Sequence, residues 1–378
     1  MKKVIVILLF LHISLALAIP VAAAERTYTY EPRQDNVTGE AAELLEKALP
    51  ESMSGVADMA KDTVINGGKG GLDGRFIFSE LIKTVKNEIT GPLQVFFSLI
   101  FLVVAAAVFK TLSAAVRSGG VASAFTLCSS LCFCVAVLFP LEKVVNSGAA
   151  LIEEINAFVL GLLPLFTSLY AAGGNVACAA YASSGVYLLT SLIENVFLHL
   201  LLPLARTILA VILTASVCTM DMSGIVKAMK DFFTTAIAFF MMINSAVYTF
   251  GNHIAAAGDS VAMRTVRFAA GSFIPVVGGA VGEALRTVAG GLSVIKAGVG
   301  WASCAVLMLM LLPPLISALF YRTAFELAAA AARLCSLQAE ARLLDGAATV
   351  CGLICALMAA SSVLFLLAVT VFVKTAVA

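Results

Sequence analysis

The sequence predicts an all-α polytopic membrane protein, and three observations carry that prediction. Apolar residues fill 61% of the 378 positions and charged ones 12%, about half the charge density with which a soluble domain covers itself. The apolar residues gather into runs near the length of about 20 that a helix needs to cross about 30 Å of hydrocarbon. The residue-by-residue alternation of an outer-membrane barrel strand is absent. A formal net charge of +1 leaves no basic footprint for nucleic acid.

The chain opens with Lys2-Lys3, an apolar run over 4–17 and the small residues Ala22-Ala23-Ala24. These are the parts of a secretory signal, so residues 1–24 read as a signal peptide cleaved before Glu25, with a retained signal anchor as the alternative. Either reading places residue 25 onward on the far side of the membrane. Residues 25–91 form an exported polar segment, partly helical and flexible. Leu44, Leu45 and Ala48 predict a short helix over 41–48, and Gly67-Gly68-Lys69-Gly70-Gly71 predicts a flexible joint. Phe76, Phe78, Leu81, Ile82 and Val85 then make an amphipathic run ending at Gly91-Pro92. It suits a membrane surface, a partner, or a plain lead-in to the first span. So few large apolar side chains would make a weak core alone.

Residues 92–378 form a multi-span membrane domain. Its windows predict about eight transmembrane helices, at 93–109, 121–140, 155–172, 176–193, 196–218, 232–250, 301–320 and 348–373. The third and fourth are short and separated only by Gly173-Gly174-Asn175, which predicts a tight hairpin or a re-entrant pair; seven is the other count the pattern allows. With residue 25 outside, the inward loops carry Lys110 and Arg117, then Lys227 and Lys230, then Arg322, Arg333 and Arg342. The outward loop 141–154 carries Glu142, Glu153 and Glu154 against one lysine, as the positive-inside rule expects. The outward loop 251–300, with Arg264, Arg267, Arg286 and Lys296, breaks the rule.

No catalytic, metal or cofactor residues are expected. The histidines are His12, His199 and His253, too far apart for a zincin pair, and no phosphate-binding loop for ATP appears. Ser183-Ser184-Gly185 is one substitution from the setting of an intramembrane serine protease, but small residues in membrane helices more often serve close packing. Ala256-Ala257-Gly258-Asp259 lacks the first glycine of an aspartyl-protease motif, and no span supplies a second aspartate. Cys128 with Cys132, and Cys351 with Cys355, fall one helical turn apart and read as packing residues. The nine cysteines give no disulfide framework, and none lies in the exported segment.

Arg206 is the costliest residue in any span, at about 2.5–3.5 kcal/mol for a central arginine. It must face the bundle interior, water or a partner subunit, or snorkel to the nearer interface. Glu194 lies about 18 Å along the same helix, too far to pair with it. Asn244 predicts a hydrogen bond between helices.

The stretch that departs most from the rest is Arg264-Thr265-Val266-Arg267-Phe268, continuing through Gly271, Phe273, Pro275 and Gly278. It closely resembles the signature region of the stage III sporulation protein AE family of endospore-forming bacteria. Leu163-Pro164-Leu165 with Gly173-Gly174, and Leu202-Pro203-Leu204, resemble two further places in that family. The likeness covers roughly residues 90–375 and the order of signal, exported segment and multi-span body.

The resemblance implies a membrane subunit, made in the mother cell and placed in the outer forespore membrane, of a channel or secretion-like complex linking mother cell and forespore. It implies a role in late forespore gene expression and forespore integrity. The implied partners are other stage III sporulation membrane proteins, among them a secretion-type ATPase and ring-forming proteins of the intermembrane space, where the N-terminal segment would face. It carries over no catalytic residue and assigns no role to Arg206. The alternative is a self-contained transporter for an ion or small molecule, with the glycine- and proline-broken residues 268–300 as its site. At Pro275 the sequence predicts a re-entrant hairpin over 268–285, in preference to a full extra span or a surface loop. Arg264 and Arg267, three residues apart, mark the mouth of such a hairpin.

Overall fold

In the computed structural model the helices run well past the apolar windows that predict them. The structure describes residues 35–66, 74–115, 119–218, 222–273 and 278–374. The signal segment, the glycine joint after Asn66 and Pro275 lie outside these.

Among the described residues there is no strand. α1 (Asp35–Ala48) and α2 (Ala57–Ile65) are joined by a short 3-10 turn, Glu51–Val56. α3 (Gly74–Glu88) leads into α4 (Thr90–Ala115), and α5 (Gly119–Ala172) is 54 residues long. α6 runs unbroken over Val176–Cys218. α7 (Ser223–Phe273), α8 (Gly278–Leu334) and α9 (Gln338–Lys374) complete the chain.

Six helices among the described residues are long and apolar enough to cross a membrane. The windows 121–140 and 155–172 are two halves of α5, and 176–193 and 196–218 are two halves of α6. The stretch 141–154, expected as a loop, is mid-helix; its glutamates are too few to stop a helix whose other face packs on α9.

The hairpin expected at Gly173-Gly174-Asn175 is present. Gly174 takes φ 77°, the N–H of Asn175 reaches back to the carbonyl of Tyr170, and that of Gly174 to Ala171. This is the Schellman stop, which satisfies the last carbonyls of a helix and suits glycine. Ser336 makes the same stop at the end of α8, with φ 60° and the bonds Leu337 to Ala332 and Ser336 to Arg333.

α6 stays continuous by widening twice into π turns, at Tyr181–Val186 and Phe197–Leu201. The second lies where the ring of Pro203 would meet the carbonyl four residues back, and the wide turn makes room for it. The first sets the Tyr181 ring between Gly185 and Gly251, where an added Cβ would come within 2.6 Å and 2.5 Å of it.

α9 is the central helix, with 94% of its apolar window buried, against 17% for the window of α3 and α4. α1 and α2 are seated on the bundle. Leu45, Ala60 and Val64 are buried, and two glycines allow backbone-close contact. A Cβ on Gly161 would lie 2.9 Å from the Cα of Ala48, and one on Gly298 would lie 2.8 Å from the carbonyl oxygen of Val64. Glu46 and Lys61 join α1 to α2 at 2.6 Å, and that carboxylate holds the lysine above its ordinary pKa.

Candidate functional site

Three polar clusters interrupt the apolar bundle. At the α8–α9 turn, Arg322, Thr323, Glu326 and Arg333 of α8 face Asp345 and Thr349 of α9 across an open cleft of about 560 Å³. Arg322 is 8% exposed. Its Nε donates to Glu326 at 3.0 Å, and its guanidinium lies over Gly352, where a Cβ would come within 2.9 Å of Nη1. Arg333 donates to Asp345 at 2.5 Å at the mouth. The same end holds Lys110, which donates to the Ser336 carbonyl at 2.7 Å, and Ser129, which donates to Glu340 at 3.0 Å. Two arginines balanced by two carboxylates make a neutral, polar recess able to hold water or a polar side chain.

The second cluster is a belt halfway along α5 and α6. Arg206 donates to Asn146 at 2.8 Å and pairs with Glu142 at 3.2 Å, with both charged side chains partly exposed. Asn156 donates to Glu194 further along the same pair of helices. Arg206 therefore finds its partners across the α5–α6 contact, and Glu194 has a different one.

The third cluster closes the α5–α6 hairpin. Asp259 of α7 is 4% exposed and accepts from the backbone N–H groups of Ala177 and Cys178, each at 2.8 Å. It caps the start of α6, where unpaired N–H groups and the helix dipole favour a carboxylate. Lys296 of α8, 2% exposed, sets its ammonium 4.0 Å from the centre of the Tyr170 ring and 5.3 Å from that of Phe372. Phe372 stacks on Phe166 at 3.9 Å, so a cation–π contact draws α8 against the ends of α5 and α9.

The residues the sequence singles out are not gathered into one site. Residues 264–273 continue α7, and Gly278 opens α8. Arg264, Arg267, Phe268, Gly271 and Phe273 thus lie on the last turns of α7. The arms of the expected hairpin at 268–285 are the ends of two long helices. Thr265 is exposed and donates to Val261 on its own helix at 3.0 Å. Ser183 and Ser184 both donate to the carbonyl of Ala180. Asn244 donates to Phe240 within α7 at 2.8 Å, so the bond between helices expected for it gives way to a local one.

Asp259, Lys296 and the Arg322 cleft were missed as sites. The i,i+4 pair Arg322 and Glu326 was readable as a pattern. The other two depend on contacts between distant helices.

Comparison with known proteins adds two findings. The profile of the stage III sporulation protein AE family matches residues 56–376. A protein of Bacillus subtilis (strain 168) described as stage III sporulation protein AE is 26% identical over 208 residues, which is 53% of this chain and 51% of that protein. The match thus spans about half the length of the curated relative. No solved structure matches.

Proposed function

The chain belongs to the stage III sporulation protein AE family, and from that premise we propose that it is a non-enzymatic membrane subunit of a complex linking mother cell and forespore. It sits in the outer forespore membrane with its N-terminal segment in the intermembrane space. The observation that carries the reading is the polarity of the bundle. Polar helices α1 and α2 are seated toward one end, and the charged α8–α9 cleft runs from Arg322 down to Arg333 and Asp345 near the α8–α9 turn at the other. A scaffold with two unlike polar ends suits ring-forming partners on the first side and a secretion-type ATPase on the mother-cell side. The helix ends at the cleft end carry Lys110, Arg333 and Arg342, which favours the mother-cell side for that end.

Deletion of the chain in a spore-forming host tests the reading. Late forespore transcription falls and engulfed forespores shrink; if both stay normal, the proposal is wrong. The charged cleft also favours a second reading, a self-contained transporter. Purified protein in liposomes without partners separates the two, since saturable uptake of a solute would support the transporter.

A further inference from the structure

We propose that the lipid bilayer contacts only the half of the bundle that contains α4, and that the other half, including the apolar windows 155–172 and 176–193, stands outside the hydrocarbon. The inference rests on the reading of the chain as a multi-pass membrane protein and fixes where its membrane ends.

The boundary follows from α3 and α4. α3 carries Glu80, Lys83, Lys86 and Glu88, with both lysines exposed, whereas from Thr90 to Phe109 there is no charge until Lys110. Gly91 to Lys110 measures about 29 Å at 1.5 Å per residue, one hydrocarbon thickness. A chain of contacts carries the upper edge around the bundle. Gly91 of α4 meets Tyr321 of α8, and the neighbouring Arg322 lies on Gly352 of α9. Ile354 and Met358 of α9 meet Gly148 of α5. Asn146 and Glu142 of α5 bind Arg206 of α6. The lower edge runs likewise through Lys110 with Ser336 and Ser129 with Glu340. The Arg206 belt therefore lies at the level where α3 gives way to α4, which is headgroup depth, and there a half-exposed ion pair is cheap.

Along α5, burial changes sign across this level. Below it, large apolar side chains point outward, among them Phe97, Phe101, Leu131, Val135 and Phe139, with Phe101 75% exposed. Above it, Ile155, Phe158, Leu162, Phe166 and Leu169 of α5 are all buried. Over them lies α1, with Ala48 against Gly161 and with Glu40, Glu43, Glu46 and Lys47 exposed on its outer side. A helix presenting that many charges outward sits in water, so the level of Gly161 is in water too. The window 155–172 is apolar because it is the core of a protein layer, with no lipid to face.

The same boundary leaves Leu188 of α6 and Ile254 of α7, 66% and 73% exposed, outside the hydrocarbon, and these positions decide the matter. Trp301 is the sole tryptophan. In a Trp301→Phe background, Phe97→Trp, Leu131→Trp, Leu188→Trp and Ile254→Trp each report lipid contact through loss of emission. The full chain is reconstituted in phosphatidylcholine with brominated or ordinary acyl chains. Brominated lipid quenches the probes at 97 and 131 and leaves those at 188 and 254 at the intensity seen in ordinary lipid. Equal quenching at all four positions overturns the boundary while keeping the membrane reading. Loss of quenching at 97 and 131 overturns both.

Discussion

Ser336 holds φ 60° with a side chain that gains little from that conformation, and its backbone carbonyl accepts from Lys110. Left-handed backbone costs an L residue roughly 1–2 kcal/mol, and glycine's extra unfolded freedom offsets part of the gain. Ser336→Gly is therefore expected to stabilise the fold by roughly 0.5–1 kcal/mol, read as a higher melting temperature in detergent. Asp259 gives the opposite case. Asp259→Ala removes the acceptor for Ala177 and Cys178 and is expected to cost about 1–2 kcal/mol, while Asp259→Asn keeps most of the cap. If the two variants melt alike, the carboxylate is not acting as a cap. Gly174 was legible in the sequence because a helix stop is local. Asp259 was not, because its partners lie 81 and 82 residues away.

At the scale of elements, α1 and α2 hold their place through the two glycine contacts. Gly298→Leu puts a side chain where the backbone of Val64 now lies, an overpacking of about 1–3 kcal/mol. Trypsin cleavage at Lys47 and Lys61 is expected to speed up in that variant, with the rest of the bundle unchanged. Unaltered cleavage would mean that the helices are held elsewhere. The pairing of α1 with α2 has little pH dependence near neutrality. Lys61 has a raised pKa, so its contribution is complete below its ordinary 10.5 and is lost only as pH climbs through the higher folded value.

The helices themselves were largely legible from apolar windows, and their ends were not. Hydropathy cannot tell an apolar residue facing lipid, such as Leu131, from one facing protein, such as Phe158, so one long helix reads as two spans. Arg206 is visible in the sequence as a charge inside an apolar run. Its partners Glu142 and Asn146 could not be named, because the register of α5 against α6 is set by packing.

For the whole molecule, the consequence is a bundle far taller than one membrane. α5 at 54 residues and α8 at 57 measure about 81 and 86 Å, against a hydrocarbon core of about 30 Å. α7 continues about 21 Å beyond Asp259, and α8 begins about 27 Å before Lys296, so residues 264–273 and Gly278 of the signature stretch lie past the α5–α6 hairpin, at the end farthest from the charged cleft. A charge scan along the bundle separates lipid from water at this scale. An arginine at the bilayer centre costs about 2.5–3.5 kcal/mol, and outside the hydrocarbon almost nothing of that remains. Leu138→Arg, midway between Ser129 and Gly148, and Leu188→Arg both replace exposed leucines with the same side chain. Leu138→Arg is expected to lower the amount of folded protein recovered from membranes severalfold, and Leu188→Arg to leave it near the parent level. If Leu188→Arg is as damaging as Leu138→Arg, the upper half is lipid-clad and α6 crosses hydrocarbon along its whole length. If it is tolerated, the polar belt at Arg206 is the membrane surface, and what stands above it is a protein tower built to be met by other proteins.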